Sequence, residues 1–129
     1  MKVGVIGSRS FQDFYRMVAE LDALDLSVAD VIVSGGCPKG ADYLAERYAR
    51  FRGHQLKILH ADWKKLGRGA GLIRNRTLVE YCDFVVVFWD GVSRGTADVI
   101  ARCLEKGKAF SLIFFKEGEI CYKRVPLTK

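Results

Sequence analysis

The sequence has no long apolar run. Its two longest, DFVVVFW and FSLIFF, have the length of a β-strand, whereas a membrane-spanning helix needs about 20 apolar residues, so no membrane partner is expected. Only two prolines occur, and no low-complexity or repeated segment interrupts the chain, which disfavours a disordered protein. The length of 129 residues predicts one domain over residues 1–129, with its core over about 1–115 and an edge strand or tail over 116–129.

Paired cysteine motifs are also missing. The four cysteines are widely spaced, at Cys37, Cys82, Cys103 and Cys121. Because three of the four lie in apolar surroundings, we interpret them as reduced thiols. One conceivable metal-binding set fits no known ligand spacing: Cys37, His54, His60 and Asp62. We therefore predict no metal and no resident cofactor. The N-terminal MKVGVIG lacks the features of a secretory signal peptide, so a cytoplasmic location is expected.

Apolar segments of strand length alternate with amphipathic segments. The predicted strands are residues 2–6 and the segments ADVIVSGG, HQLKILHA, DFVVVFW and AFSLIFF. Apolar residues at three- and four-residue spacing predict helices between them: residues 11–21, 41–48, LIRNRTLVEYC and 96–104. This order predicts an α/β fold, a Rossmann-like three-layer sandwich with a mainly parallel five-stranded sheet. The C-terminal EICYKRV is predicted to add a short strand at an edge.

Small and polar residues follow the predicted strands, where ligands bind in this architecture. The segments are GSRSF, SGGCPKGAD, ADWKKLGRGAGLIRNR and DGVSRGTAD. Because parallel strands end at the same edge of a sheet, these four loops should converge on one crevice. In GSRSF, Gly7 permits a sharp turn, Ser8 can cap a helix, and Arg9 offers a bidentate fork for phosphate. A simple helix cap is the alternative interpretation of this segment.

The segment SGGCPKGAD favours an anion. Gly35 and Gly36 would let a ligand approach the backbone, and Gly40 begins a helix whose free N–H groups attract negative charge. Asp42 lies in the first turn, where it would either satisfy the helix N-terminus or accept hydrogen bonds from a ribose or base. The segment is neither a Walker motif nor GxGxxG, so magnesium-dependent ATP hydrolysis is disfavoured.

The segment GLIRNR places Arg74, Asn75 and Arg76 at or near the start of a helix. Arginines two residues apart point to different sides of a helix. We therefore predict that one of them reaches the crevice as an anion clamp while the other pairs with protein acids.

The segment DGVSRGTAD resembles SGGCPKGAD, because glycines and polar residues again precede a predicted helix. Ser93 and Thr96 supply hydroxyl groups, Gly95 supplies flexibility, and a helix is predicted to begin at Thr96. Asp98 then lies near the third position of that helix, either in a capping role or placed for chemistry.

The net charge of +6 suggests an anionic partner, either nucleotide phosphates or a nucleic acid. Four separated motifs together resemble the SLOG superfamily, named from the Smf/DprA and Lonely Guy proteins, and especially its short YspA/YpsA-related branch. They are GSR at residues 7–9, GGCPKGAD at 35–42, ADWKKLGRGAGLIRNR at 61–76, and GTAD at 95–98. The resemblance implies a Rossmann-like fold, a nucleotide or nucleotide-derived ligand, a sensor role and a homodimer.

Three functions follow from these motifs. The first is a binding module for an NAD-, ADP-ribose- or AMP-like ligand, with Arg9 on phosphate and with Asp42 and Asn75 on sugar or base. The second follows from the Lonely Guy enzymes: hydrolysis of a nucleotide N-glycosidic bond, with Asp98 and either Arg74 or Arg76 as catalytic residues. In this sequence GVS replaces the PGG of those enzymes, and an aspartate replaces their glutamate. The third is DprA-like binding of single-stranded DNA, with stacking on Trp63 and Trp89.

Overall fold

The computed structural model of the chain describes residues 1–116 and the backbone of residues 123–127. Strands and helices alternate as predicted. The strands are β1 (Lys2–Gly7), β2 (Val31–Ser34), β3 (Leu56–Ile58), β4 (Phe84–Trp89), β5 (Phe110–Phe114) and β6 (Lys123–Leu127). The helices are α1 (Phe14–Asp22), α2 (Ala41–Arg52), α3 (Trp63–Leu66), α4 (Ala70–Tyr81) and α5 (Arg94–Lys106).

The strands form one sheet in the order β3-β2-β1-β4-β5-β6. The first five strands are parallel, and β6 pairs with β5 in the antiparallel sense. The predicted mainly parallel five-stranded sheet with an extra edge strand is therefore confirmed. The described edge strand spans Lys123–Leu127, and residues 119–122 of the predicted range lie outside the described residues.

Two apolar clusters, one on each face of the sheet, make the fold a three-layer sandwich. One cluster joins the sheet to α1 and α2 through Met17, Leu21, Leu44 and Tyr48. The other joins it to α4 and α5 through Leu78, Val79, Val99 and Cys103. Because both faces are covered, the central strands are apolar throughout, as β4 illustrates with four consecutive buried residues.

Several helix boundaries differ from the predicted ones. Helix α1 begins at Phe14 because the Asp13 carboxylate caps it by accepting from the Arg16 N–H at 3.0 Å. Helix α5 begins at Arg94, two residues before the predicted start. The loop after β3 contains α3 and a 3-10 turn over Gly67–Gly69, so Arg74, Asn75 and Arg76 lie in the middle of α4 rather than at its start.

The order of the strands decides where a crevice opens. Strand β1 lies between β2 and β4, and the chain leaves β1 towards the face of α1 and α2 but leaves β4 towards the face of α4 and α5. At such a switch point the loops after the two central strands diverge and leave a space between them.

In the described part of the chain, no helix is long and apolar enough to cross a bilayer.

Candidate functional site

A cavity of about 390 Å³ opens at the carboxyl ends of β1 and β4. Its wall is formed by Ile6, Gly7, Ser8, Arg9, Ser10, Cys37, Asp42, Arg74, Asn75, Asp90, Ser93, Gly95 and Thr96. Most of the predicted ligand-binding residues thus lie together at one place. Four of them are not part of the wall: Gly35, Gly36, Gly40 and Arg76.

The loop after β1 is tied to the end of β4. The Ser8 N–H donates to the Phe88 carbonyl at 2.9 Å, and the Ser8 hydroxyl accepts from the Asp90 N–H at 3.1 Å. A side chain at Gly7 would overlap the Phe88 carbonyl, so only glycine allows the two strand ends to come this close. Ser8 is buried, and it therefore fixes the floor of the cavity instead of capping a helix as predicted.

Asp90 is a wall residue that the sequence prediction missed. Its carboxylate accepts from the N–H groups of Val92 and Ser93 at 2.9 and 2.8 Å, and from the hydroxyls of Ser93 and Ser10 at 2.8 and 3.1 Å. Burial alone would raise the pKa of Asp90, but these four hydrogen bonds together lower it to about 2. Its signal in the sequence is an acidic residue directly after an apolar strand.

Helix α5 points its N-terminus into the cavity. Ser93 stands at the N-cap, but its hydroxyl donates to Asp90 and makes no capping bond to the helix. The first-turn N–H groups, including those of the wall residues Gly95 and Thr96, therefore have no side-chain cap. An uncapped N-terminus carries partial positive charge, which attracts an anion.

Asp42 is a buried carboxyl group on the opposite wall. Its two oxygens accept long hydrogen bonds from the N–H groups of Gly7 and Cys37, at 3.3 and 3.4 Å. Burial raises the pKa of Asp42 from its ordinary value of 3.8 to about 6, although the nearby Arg74 guanidinium and the two N–H groups oppose this shift. The group can therefore accept or donate a proton near neutral pH.

Arg74 lies beside Asp42 and is held by the backbone of the second loop. Its Nη1 donates to the Gly35 carbonyl, and its Nε donates to the Asn75 side-chain oxygen at 3.0 Å. A Cβ on Gly35 would lie 2.6 Å from an Asp42 oxygen and 2.7 Å from Arg74 Nη1. Protein side chains thus occupy the space that the sequence prediction gave to a ligand at Gly35.

Asn75 connects α4 to α5 and engages Asp98. Its side-chain nitrogen donates to the Gly95 carbonyl and to an Asp98 carboxylate oxygen, both at 3.1 Å. The same Asp98 oxygen forms an ion pair with Arg102 at 2.8 Å. Asp98 is not part of the cavity wall, and neither Ser93 nor Thr96 is its partner in a capping box.

The three arginines of the predicted site have different environments. Arg9 is exposed at the cavity wall, and the described residues offer it no hydrogen-bond or ion-pair partner. Arg74 reaches the cavity, as predicted for one of the two arginines of α4. Arg76 is exposed away from the cavity, and no acid among the described residues forms an ion pair with it. The predicted second pairing is therefore not observed.

The remaining predicted glycines serve packing. Gly36 has a φ of +79°, and a Cβ there would lie 2.6 Å from His60 Nδ1. Gly40 has a φ of +78°, and a Cβ there would lie 2.5 Å from the Ser8 carbonyl and closer still to Arg9 Cα. Gly40 therefore lets the start of α2 rest directly on the backbone of the first loop.

The cysteines, the candidate metal ligands and the tryptophans complete the predicted set. Cys82 and Cys103 are buried free thiols, and burial raises their pKa values to about 12 and about 11. Cys37 is half-buried at the cavity, and Cys121 lies outside the described residues. The described residues contain no group of His, Cys, Asp and Glu arranged to hold a metal.

Trp89 donates to the Ser93 carbonyl at 3.0 Å, whereas Trp63 is largely exposed.

One comparison with known proteins gave a match. The model of a protein family described as YAcAr, the YspA, cpYpsA-related SLOG family, matches residues 1–66, just over half of the chain. The matched half contains the loops after β1 and β2, with Arg9 and Asp42. No curated protein matches the chain.

Proposed function

Because the chain belongs to the YspA, cpYpsA-related SLOG family, we propose that the cavity binds a nucleotide or nucleotide-derived ligand of the NAD, ADP-ribose or AMP kind. In this proposal the protein is a sensor module, and binding of the ligand is its primary event. The observation that carries the proposal is the meeting of an uncapped helix N-terminus and an unpartnered arginine at one cavity that also holds buried acceptors.

The phosphate of the ligand is assigned to the side of the cavity formed by α5 and Arg9. First-turn N–H groups at Gly95 and Thr96 and the Arg9 guanidinium supply donors of positive character from two directions. Asp90 contributes indirectly. Its oxygens accept from four protein donors, one of which is the Ser93 hydroxyl. That hydroxyl therefore does not cap the helix, and the first-turn amides stay open.

The sugar of the ligand is assigned to Asp42. Its two long hydrogen bonds leave accepting capacity on both oxygens, which suits the hydroxyl groups of a ribose. Asn75 was predicted to share this role, but both hydrogens of its side-chain nitrogen are used by protein acceptors. We therefore assign Asn75 to positioning Arg74 and the start of α5. The volume of about 390 Å³ lies at the small end of small-molecule sites.

Replacing Arg9 by alanine is expected to weaken binding of AMP or ADP-ribose by roughly tenfold to a hundredfold, since a hydrogen bond to a charged group contributes about 1.5–3 kcal/mol. Titration calorimetry measures this loss. Arg76→Ala is the matched control, because Arg76 is an exposed arginine outside the cavity. Equal affinities of the two variants would contradict the assignment of the phosphate to Arg9.

A second candidate function, hydrolysis of the N-glycosidic bond of such a ligand, is favoured by one observation. The cavity wall holds a buried carboxyl group, Asp42, whose pKa is raised to about 6, a value that suits a general base near neutral pH. In this reaction Asp42 takes a proton from a water molecule while the oxygen of that water bonds to C1′ of the ribose. The bond from C1′ to the base breaks, the base leaves with the electron pair and takes a proton from solvent, and Asp42 returns its proton to solvent.

This candidate makes Asp42, rather than Asp98, the residue that contacts the reacting water. Asp42→Asn is expected to slow release of adenine from AMP by about a hundredfold or more, as is usual for loss of a general base. Asp98→Asn is expected to slow it by less than about tenfold, because Asp98 acts only through Asn75. Chromatography of the products measures both rates. If the unmodified protein binds AMP tightly but releases no adenine, hydrolysis is contradicted and only the sensor function remains.

A further inference from the structure

Two exposed cations, Lys39 and Arg94, flank the mouth of the cavity. Lys39 directly precedes Gly40, whose backbone rests on Arg9. Arg94 is the first residue of α5, between the wall residues Ser93 and Gly95. Both side chains are exposed, and the part of the chain that the structure describes offers neither of them a hydrogen-bond or ion-pair partner. Two loops therefore place unneutralised positive charge at the entrance.

Several cations elsewhere on the surface are paired with acids, although others, such as Lys57 and Arg76, have no such partner among the described residues. Arg102 pairs with Asp98, and Lys106 with Glu80, both on the face of α4 and α5. On the other face, Arg52 pairs with Asp22 at 2.5 Å. Pairing neutralises these residues, so they contribute little to the long-range attraction of an anion. The unpaired cations at the cavity mouth contribute fully to it.

We propose that the ligand carries two linked phosphate groups, as in a nucleoside diphosphate, and that Lys39 and Arg94 bind the second phosphate. This inference rests on the proposed function. Arg9 and the first-turn amides of α5 supply enough donors for one phosphate inside the cavity. A second phosphate attached to the first lies further out, at the mouth, where Arg94 and Lys39 approach from the loops after β4 and β2. Selection of a diphosphate over a monophosphate is then a property of these two side chains.

The test compares ADP with AMP by titration calorimetry on the full chain. The unmodified protein is expected to bind ADP about tenfold more tightly than AMP, because two exposed ion pairs together contribute about a factor of ten in affinity. The double variant Lys39→Gln/Arg94→Gln is expected to lose about tenfold in affinity for ADP and less than about twofold for AMP. The double variant Lys57→Gln/Arg76→Gln removes the same charge from exposed positions outside the cavity wall and should bind both nucleotides like the unmodified protein.

Inorganic pyrophosphate and phosphate repeat the comparison without a base, with thermal stabilisation as the measurement. Equal affinity for ADP and AMP, with Arg9→Ala still weakening AMP, would overturn the inference and leave the proposed function standing. Absence of binding by all four probes would overturn both. Tighter binding of a single-stranded oligonucleotide than of ADP, lost in Lys39→Gln/Arg94→Gln, would assign the two cations to a polynucleotide and would also overturn the inference.

Discussion

Replacing Gly40 by alanine is expected to destabilise the protein by about 3–5 kcal/mol and to abolish ligand binding. The φ of +78° and ψ of −152° at Gly40 lie in a region that is accessible only to glycine. The added Cβ would also lie 2.5 Å from the Ser8 carbonyl, so α2 or the loop that carries Arg9 has to move. Conformational strain and overpacking each cost about 1–3 kcal/mol. Urea denaturation measures the change in the free energy of unfolding.

Gly53→Ala is the matched control for this prediction. Gly53 lies at the other end of α2 with a nearly equal φ of +76°, but no atom lies within 4 Å of a Cβ placed there. Its substitution is expected to cost only about 1–2 kcal/mol, the price of left-handed backbone for alanine. If both variants lose the same stability, the tight contact between α2 and the first loop is refuted.

The pH dependence of stability is expected to differ between the unmodified protein and Asp42→Asn. The pKa of Asp42 is 3.8 in an unfolded chain and about 6 in the folded protein, so the folded state binds the extra proton between these values. The contribution of Asp42 to stability is therefore most favourable below pH 3.8 and declines as the pH rises to 6. The decline amounts to about 3 kcal/mol, at about 1.4 kcal/mol for each pKa unit.

Urea denaturation of both proteins at a series of pH values from acid to neutral measures this effect. The difference in unfolding free energy should shift in favour of Asp42→Asn as the pH rises, while contributions of other groups cancel. Asp90→Asn should show the opposite sign, because the pKa of Asp90 is lowered to about 2 and its contribution is lost as the pH falls. If the difference in unfolding free energy between Asp42→Asn and the unmodified protein does not change with pH, the pKa of the Asp42 carboxyl group is not raised in the folded protein. Such a result would also remove the support for a proton-transferring role.

The structure explains why some sequence predictions of the site were more useful than others. The loops after β1 and β4 were placed correctly because the carboxyl ends of parallel strands must meet at one edge. Gly35 and Gly36 were assigned to ligand approach, but Arg74, Asp42 and His60 fill the space beside them. A glycine in a sequence indicates a close approach of something, and only packing decides whether that is a ligand or the protein itself.

Asp98 and Asp90 illustrate the same limit for acidic residues. Both stand in the segment DGVSRGTAD, eight residues apart. The start of α5 at Arg94 turns Asp98 towards Asn75 and Arg102, while Asp90 remains at the strand end and lines the cavity. The direction of a side chain on a helix depends on the residue at which the helix begins. Here the hydrogen bonds that Asp90 accepts from Val92, Ser93 and Ser10 hold the chain just before that residue.

The sequence by itself determined the sheet, the alternation of layers, the family and the edge at which the loops converge. These features follow from the periodicity of apolar residues and from short motifs, which are local properties of a chain. Tertiary structure alone decided that Asp42 is buried with a raised pKa, that Arg9 has no partner among the described residues, and that Ser93 leaves the start of α5 uncapped. Burial and hydrogen-bond partners come from residues distant in sequence, and no local pattern encodes them.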